Sequence, residues 1–78
     1  MSSNQKSVHK AEYKHFLKRL RQARSDAGLT QTEVAKALRR PQTFVSKVEL
    51  GERRLDLLEV QDFAKVYGKP FSYFFPKA

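Results

Sequence analysis

Apolar positions recur along this chain in four blocks, each at the three-and-four spacing of a helix that buries one side. In the first, from about Lys10 to Ala27, one face carries Tyr13, Phe16, Leu17, Leu20, Ala23, Arg24 and Ala27, while Lys14, Lys18, Arg21 and Ser25 lie away from it. Gly28 fits the left-handed residue that closes a helix. The second block is Val34, Ala35 and Leu38, introduced by Thr30 as N-cap with Glu33 three residues on, a capping box. Pro41 has no amide hydrogen to lose and suits the start of a third helix, whose stripe is Phe44, Val45 and Val48 and whose end is Gly51. Asp56 and Glu59 form a second capping box ahead of Leu57, Val60, Phe63, Ala64 and Tyr67, and Gly68 stops that helix. Pro70 opens a last short turn, Phe71 to Phe75, ended by Pro76. Of its four rings, Phe71 and Phe74 are expected to cap the core; Tyr73 and Phe75 either join them there or are left for a dimer interface. Met1 to Ser7 has no pattern, so the expectation is a flexible arm over residues 1–8 and a single domain over 9–76. The fold class is all-α, a compact bundle of about five short helices.

Two details of the pattern carry chemistry. The third helix turns Val45 and Val48 inward, which leaves Gln42, Thr43, Ser46 and Lys47 on its outer face, side chains able to reach base edges in a major groove. Arg24 falls on the inward face of the first helix, where an unpaired charge is costly. Glu49, beside Val45 and Val48, is its expected partner, and an Arg24–Glu49 pair would tie the first helix to the third.

Composition narrows the picture. With 78 residues and no cysteine, the chain has neither disulfides nor thiolate metal ligands to brace it, so helix packing must hold it. Sixteen Lys and Arg against eight acids give a formal charge of +8, which favours a polyanionic partner. No apolar run approaches the ~20 residues of a membrane span, and the first residues lack the apolar stretch of a signal peptide, so a cytoplasmic protein is the default expectation. His9 and His15 have no carboxylate cluster near them in sequence, and neither a phosphate-cradling glycine loop nor a nucleophile elbow is present. The expectation is no enzyme activity, no cofactor and no metal.

The stretch GLTQTEVAKAL–RRPQTFVSKVELGERR resembles the helix-turn-helix of the phage-repressor and Cro-like regulators, the XRE-like family, with the similarity running from about Phe16 to Phe75. Arg24, Gly28 to Gln31, Val34-Ala35, Leu38, Val45-Ser46, Val48-Glu49 and Gly51 carry it, in order and spacing. The resemblance implies a lambda-repressor-like fold and a transcriptional regulator, commonly a homodimer on a palindromic operator of double-stranded DNA. It implies a phosphate contact for Gln31, base-facing roles for Gln42, Thr43, Ser46 and Lys47, a position at the backbone edge for Phe44, and backbone contacts for Arg53 and Arg54. In a cell such a protein is nucleoid-associated when bound. The chain departs from the family twice. Arg39 stands where a left-handed glycine is usual, at roughly 1–2 kcal/mol if that conformation is kept, while Arg39 and Arg40 add charge to the groove rim. Leu50 replaces a polar or basic residue. Two other readings remain: a protein-interaction module of the same fold, such as an antitoxin or coactivator-like adaptor, and an RNA binder acting through charge.

Overall fold

Helix ends fall where an apolar stripe meets a glycine, a proline or a capping side chain, and five elements result. The computed structural model describes residues 2–75, with side chains from Ala11 onward. In order they are α1 (Ser2–Ala27), α2 (Gln31–Leu38), α3 (Gln42–Glu49), α4 (Leu57–Tyr67) and a 3₁₀ turn (Phe71–Phe74). Among the described residues there is no strand, and no helix is long and apolar enough to cross a membrane. Pro76, expected to end the final turn, lies outside the described residues, as does Met1.

Both capping boxes form. Glu33 N donates to Thr30 Oγ1 at 3.1 Å while Thr30 N donates to Glu33 Oε1 at 2.9 Å. The same reciprocal pair links Asp56 and Glu59 at 2.8 and 3.0 Å. Each box satisfies two of the amides a helix start leaves open, which fixes where α2 and α4 begin. Helix α1 begins earlier than its apolar stripe. Its backbone is helical from Ser2, across the stretch expected to be an arm. Residues 2–27 contain no proline or glycine, and an established helix gains a hydrogen bond with each residue added.

The core lies where the four helices face one another. Phe16, Leu17, Leu20 and Ala23 come from α1, Val34 and Ala35 from α2, Val45 and Val48 from α3, and Val60, Phe63, Ala64 and Tyr67 from α4, with Phe74 closing one end. Gly51 ends α3 at φ 82°, and a Cβ there would sit 3.2 Å from Leu17 Cδ1, so glycine answers both a conformational and a packing demand.

The stripes overreach at their ends. Ala27, at the end of α1, and Leu57, at the start of α4, are exposed. Phe71 is also exposed, while Phe74 of the same 3₁₀ turn is buried in the core. Tyr73 is half-buried. The Arg19 and Lys69 cations lie 4.1 and 4.6 Å from its ring centre, and Arg19 Nε donates to its carbonyl at 2.8 Å. Phe75 does remain exposed, stacked on Phe16 at 5.5 Å and beside Phe71 at 5.1 Å. Leu50 is exposed.

Candidate nucleic-acid interface

The turn that joins α2 to α3 is tight because Arg39 adopts a left-handed conformation, φ 58° and ψ 44°. It is the one non-glycine residue at positive φ among those described. Arg39 N donates to Lys36 O and Arg40 N to Ala35 O at 3.1 and 2.9 Å, so two of the last carbonyls of α2 are satisfied. The position keeps the backbone a glycine would give and accepts the strain of a side chain. Pro41, at φ −62°, then launches α3.

Helix α3 is held from behind by Val45, Val48 and Glu49, all buried. Gln42, Thr43 and Lys47 are exposed and Ser46 is half-buried, so the four polar residues face outward together. The helix cannot roll, because its inner side is pinned by charge as well as by packing. Arg24 Nε donates to Glu49 Oε2 at 2.7 Å and Nη2 to Oε1 at 3.0 Å, a two-pronged pair across α1 and α3. Among the described residues Glu49 is the one buried charged residue, with its side chain 4% exposed against 24% for Arg24. The carboxylate beside it raises the Arg24 pKa above its usual value. Arg21 Nη1 donates to the Glu49 carbonyl at 3.0 Å, a cation at the C-terminal end of α3 where the helix dipole favours one.

Gln31 extends this network to the outer face. Its Nε2 donates to Glu49 Oε1 at 3.0 Å, which turns its Oε1 outward to accept from Gln42 Nε2 at 2.8 Å. Arg24, Glu49, Gln31 and Gln42 thus form one chain of hydrogen bonds from the core to the start of α3. A fixed carboxylate at one end sets the polarity of both amides. Exposed Gln42 is left with its carbonyl oxygen and one N–H outside this chain of bonds.

The arginines expected along the rim fall into three situations. The Arg39 side chain is exposed and makes no hydrogen bond to the described residues. Arg54 lies over the Tyr13 ring, 4.4 Å from its centre. Arg40 and Arg53, from opposite ends of α3, converge on Glu59 of α4. Arg53 Nη1 and Nη2 donate to the two carboxylate oxygens at 2.8 and 2.9 Å, and Arg40 Nη2 donates to Oε2 at 3.1 Å. Arg53 also donates to the Arg54 carbonyl. These donors, Arg53 first, lower the Glu59 pKa to about 2. Phe44 lies within this cluster, not on the outer face. Its half-buried ring stacks on Phe63 at 6.1 Å, with the Arg40 and Arg53 guanidinium carbons 4.2 and 5.0 Å from its centre. Sequence reasoning assigned Glu59 only a capping role. The signal it lacked was three-dimensional, since Arg40 of the α2–α3 turn reaches Glu59 in the first turn of α4. Among the described residues no group of three His, Asp or Glu could hold a metal ion.

Comparison with known proteins follows the same outline. A family model described as a helix-turn-helix domain matches residues 15–70. A solved structure, an XRE-family like protein from Pseudomonas syringae pv. tomato, is 46% identical to this chain with a TM-score of 0.86, covering 91% of this chain and 87% of its own. No curated protein matches the chain.

Proposed function

The chain belongs to the XRE-like helix-turn-helix family of DNA-binding regulators, and from that premise we propose that it reads a specific double-stranded sequence with α3 in the major groove. The observation that carries the proposal is the outward quartet Gln42, Thr43, Ser46 and Lys47 on a helix pinned from behind. An adenine edge in the major groove offers one acceptor and one donor, the complement of the N–H and carbonyl that Gln42 presents. Lys47 is matched to guanine acceptors, and Thr43 and Ser46 contribute hydroxyls. Gln31, at the start of α2, has one N–H left for a phosphate, in a place where helix amides also favour anions. Arg39, Arg40, Arg53 and Arg54 supply backbone contacts that position the protein and bear no sequence information. Phe44 supports this rim from beneath.

Two protomers would read half-sites about one helical turn, ~34–36 Å, apart on a palindromic operator. The surface that best suits self-association is the exposed pair Phe75 and Phe71, with Tyr73 behind it under Arg19 and Lys69. Selection of bound duplexes from a random pool, beside sedimentation with and without the selected duplex, tests both parts. The expected result is one enriched palindrome bound by two protomers. A pool that shows no enrichment would remove the sequence-reading proposal. Binding by a single protomer would remove the dimer.

A further inference from the structure

Arg40 and Arg53 lie thirteen residues apart, one before α3 and one after it, yet a single carboxylate takes both. We propose that Glu59 acts within the free protein as an internal competitor for DNA phosphate, holding these two arginines until a duplex takes them. The inference rests on the DNA-binding reading above. A carboxylate and a phosphate offer a guanidinium the same pair of acceptor oxygens, and the two-pronged Arg53–Glu59 pair at 2.8 and 2.9 Å has that geometry.

The acid is the fixed member of the cluster. Its Oε1 also accepts from Asp56 N, its own amide is bonded to Asp56, and its side chain is 15% exposed. The arginines are the movable members. Their side chains are 42% and 39% exposed, and they stand on a turn and a loop. Each also rests a guanidinium near the Phe44 ring, a contact with no preference for which anion lies beyond it. The two arginines flank the helix proposed for the groove, where the two phosphate walls of a duplex pass. Glu59 therefore cancels one of two charges on that rim and opposes every duplex equally. It restrains the part of affinity that carries no sequence information, while the outer face of α3 is untouched.

The test is Glu59→Gln, whose amide oxygen still accepts from Asp56 N, so the capping box survives. Affinity is measured for a selected duplex and a random one, with melting followed in parallel. Each freed pair is of the surface kind, so the expected gain is about threefold to thirtyfold on both duplexes alike. Asp62→Asn is the control. Asp62 lines the same cleft on α4 but bonds neither arginine, so its removal changes net charge by the same amount and is expected to give a clearly smaller gain. An unchanged or weaker affinity in Glu59→Gln overturns the inference, and so does an equal gain in Asp62→Asn. A measurement on the unaltered chain guards against misfolding of the variant. The carboxyl carbon resonance of Glu59 is expected to shift when duplex is added, and an unmoved resonance overturns the proposal. If the unaltered chain binds no duplex, it is the DNA-binding reading that fails. If it binds and the variant behaves the same, only this inference fails.

Discussion

Replacing Arg24 by methionine removes a cation and leaves its partner in place. Glu49 then keeps only the Gln31 Nε2 bond at 3.0 Å, after losing donors at 2.7 and 3.0 Å, and its side chain remains 4% exposed. Leu29 O loses the Arg24 Nη1 bond as well. Stranding one member of a buried pair costs roughly 3–5 kcal/mol. Arg24 itself is 24% exposed, so water can enter the vacated space, and Gln31 still serves the carboxylate. The lower figure, about 3 kcal/mol, is therefore expected. In a domain of this size each kcal/mol moves the melting temperature by roughly 4–8 °C, so the shift is about 12–24 °C. Thermal melting by circular dichroism at neutral pH reads it directly. A companion chain with Arg24→Met and Glu49→Leu together is expected to recover most of the loss, because an apolar pair of similar volume is often as stable as the ion pair. Arg24→Met melting within about 3 °C of the parent would refute the reasoning. A double variant as unstable as the single one would show that Arg24 acts through packing alone.

Other outcomes follow from single positions. Arg39→Gly relieves the left-handed strain at φ 58° and is expected to raise stability by about 1 kcal/mol in urea or thermal melting; a loss would mean that the side chain, not the backbone, fixes the turn. Tyr67 is buried and its hydroxyl has no hydrogen-bond partner among the described residues, and burial pushes its pKa upward. Tyr67→Phe is accordingly expected to melt at or above the parent temperature, and a marked fall would reveal a partner for that oxygen. The Glu59 pKa is lowered in the folded chain from 4.5 to about 2, so its contribution is present above 4.5 and is lost as pH falls towards about 2. The stability gap between the parent and Glu59→Gln should close across that window, and a gap independent of pH would contradict the ion pairs.

Features set by neighbours in the chain were legible from the residues. Thr30 and Asp56 cap because their partners are three positions on, and Gly28, Gly51 and Gly68 end helices because left-handed backbone is cheapest there. The helical period put Arg24 and Glu49 on inner faces, and a buried charge needs an opposite one, so that cross-helix contact could be read too. What could not be read depended on the packing of distant elements. Periodicity assigned Leu57 and Phe71 to the core, but whether the first residue of an element is covered depends on how far its neighbours extend. Likewise, Arg40, Arg53 and Phe44 read as rim residues of one motif, and only the placement of α4 shows that Glu59 gathers the two arginines while Phe63 takes the Phe44 ring. The start of α1 escaped notice for a different reason: an amphipathic signal marks the buried part of a helix, and nothing in the preceding residues stops it.

The claim that the outer face of α3 reads bases is tested most directly by two alanine variants, Gln42→Ala and Lys47→Ala, measured against every single-base change of the selected duplex. The account predicts a loss of roughly 1–3 kcal/mol on the best sequence, with discrimination abolished at one base pair for each variant and kept elsewhere. Losses spread evenly over all duplexes, as expected for an arginine on the backbone such as Arg54, would contradict it.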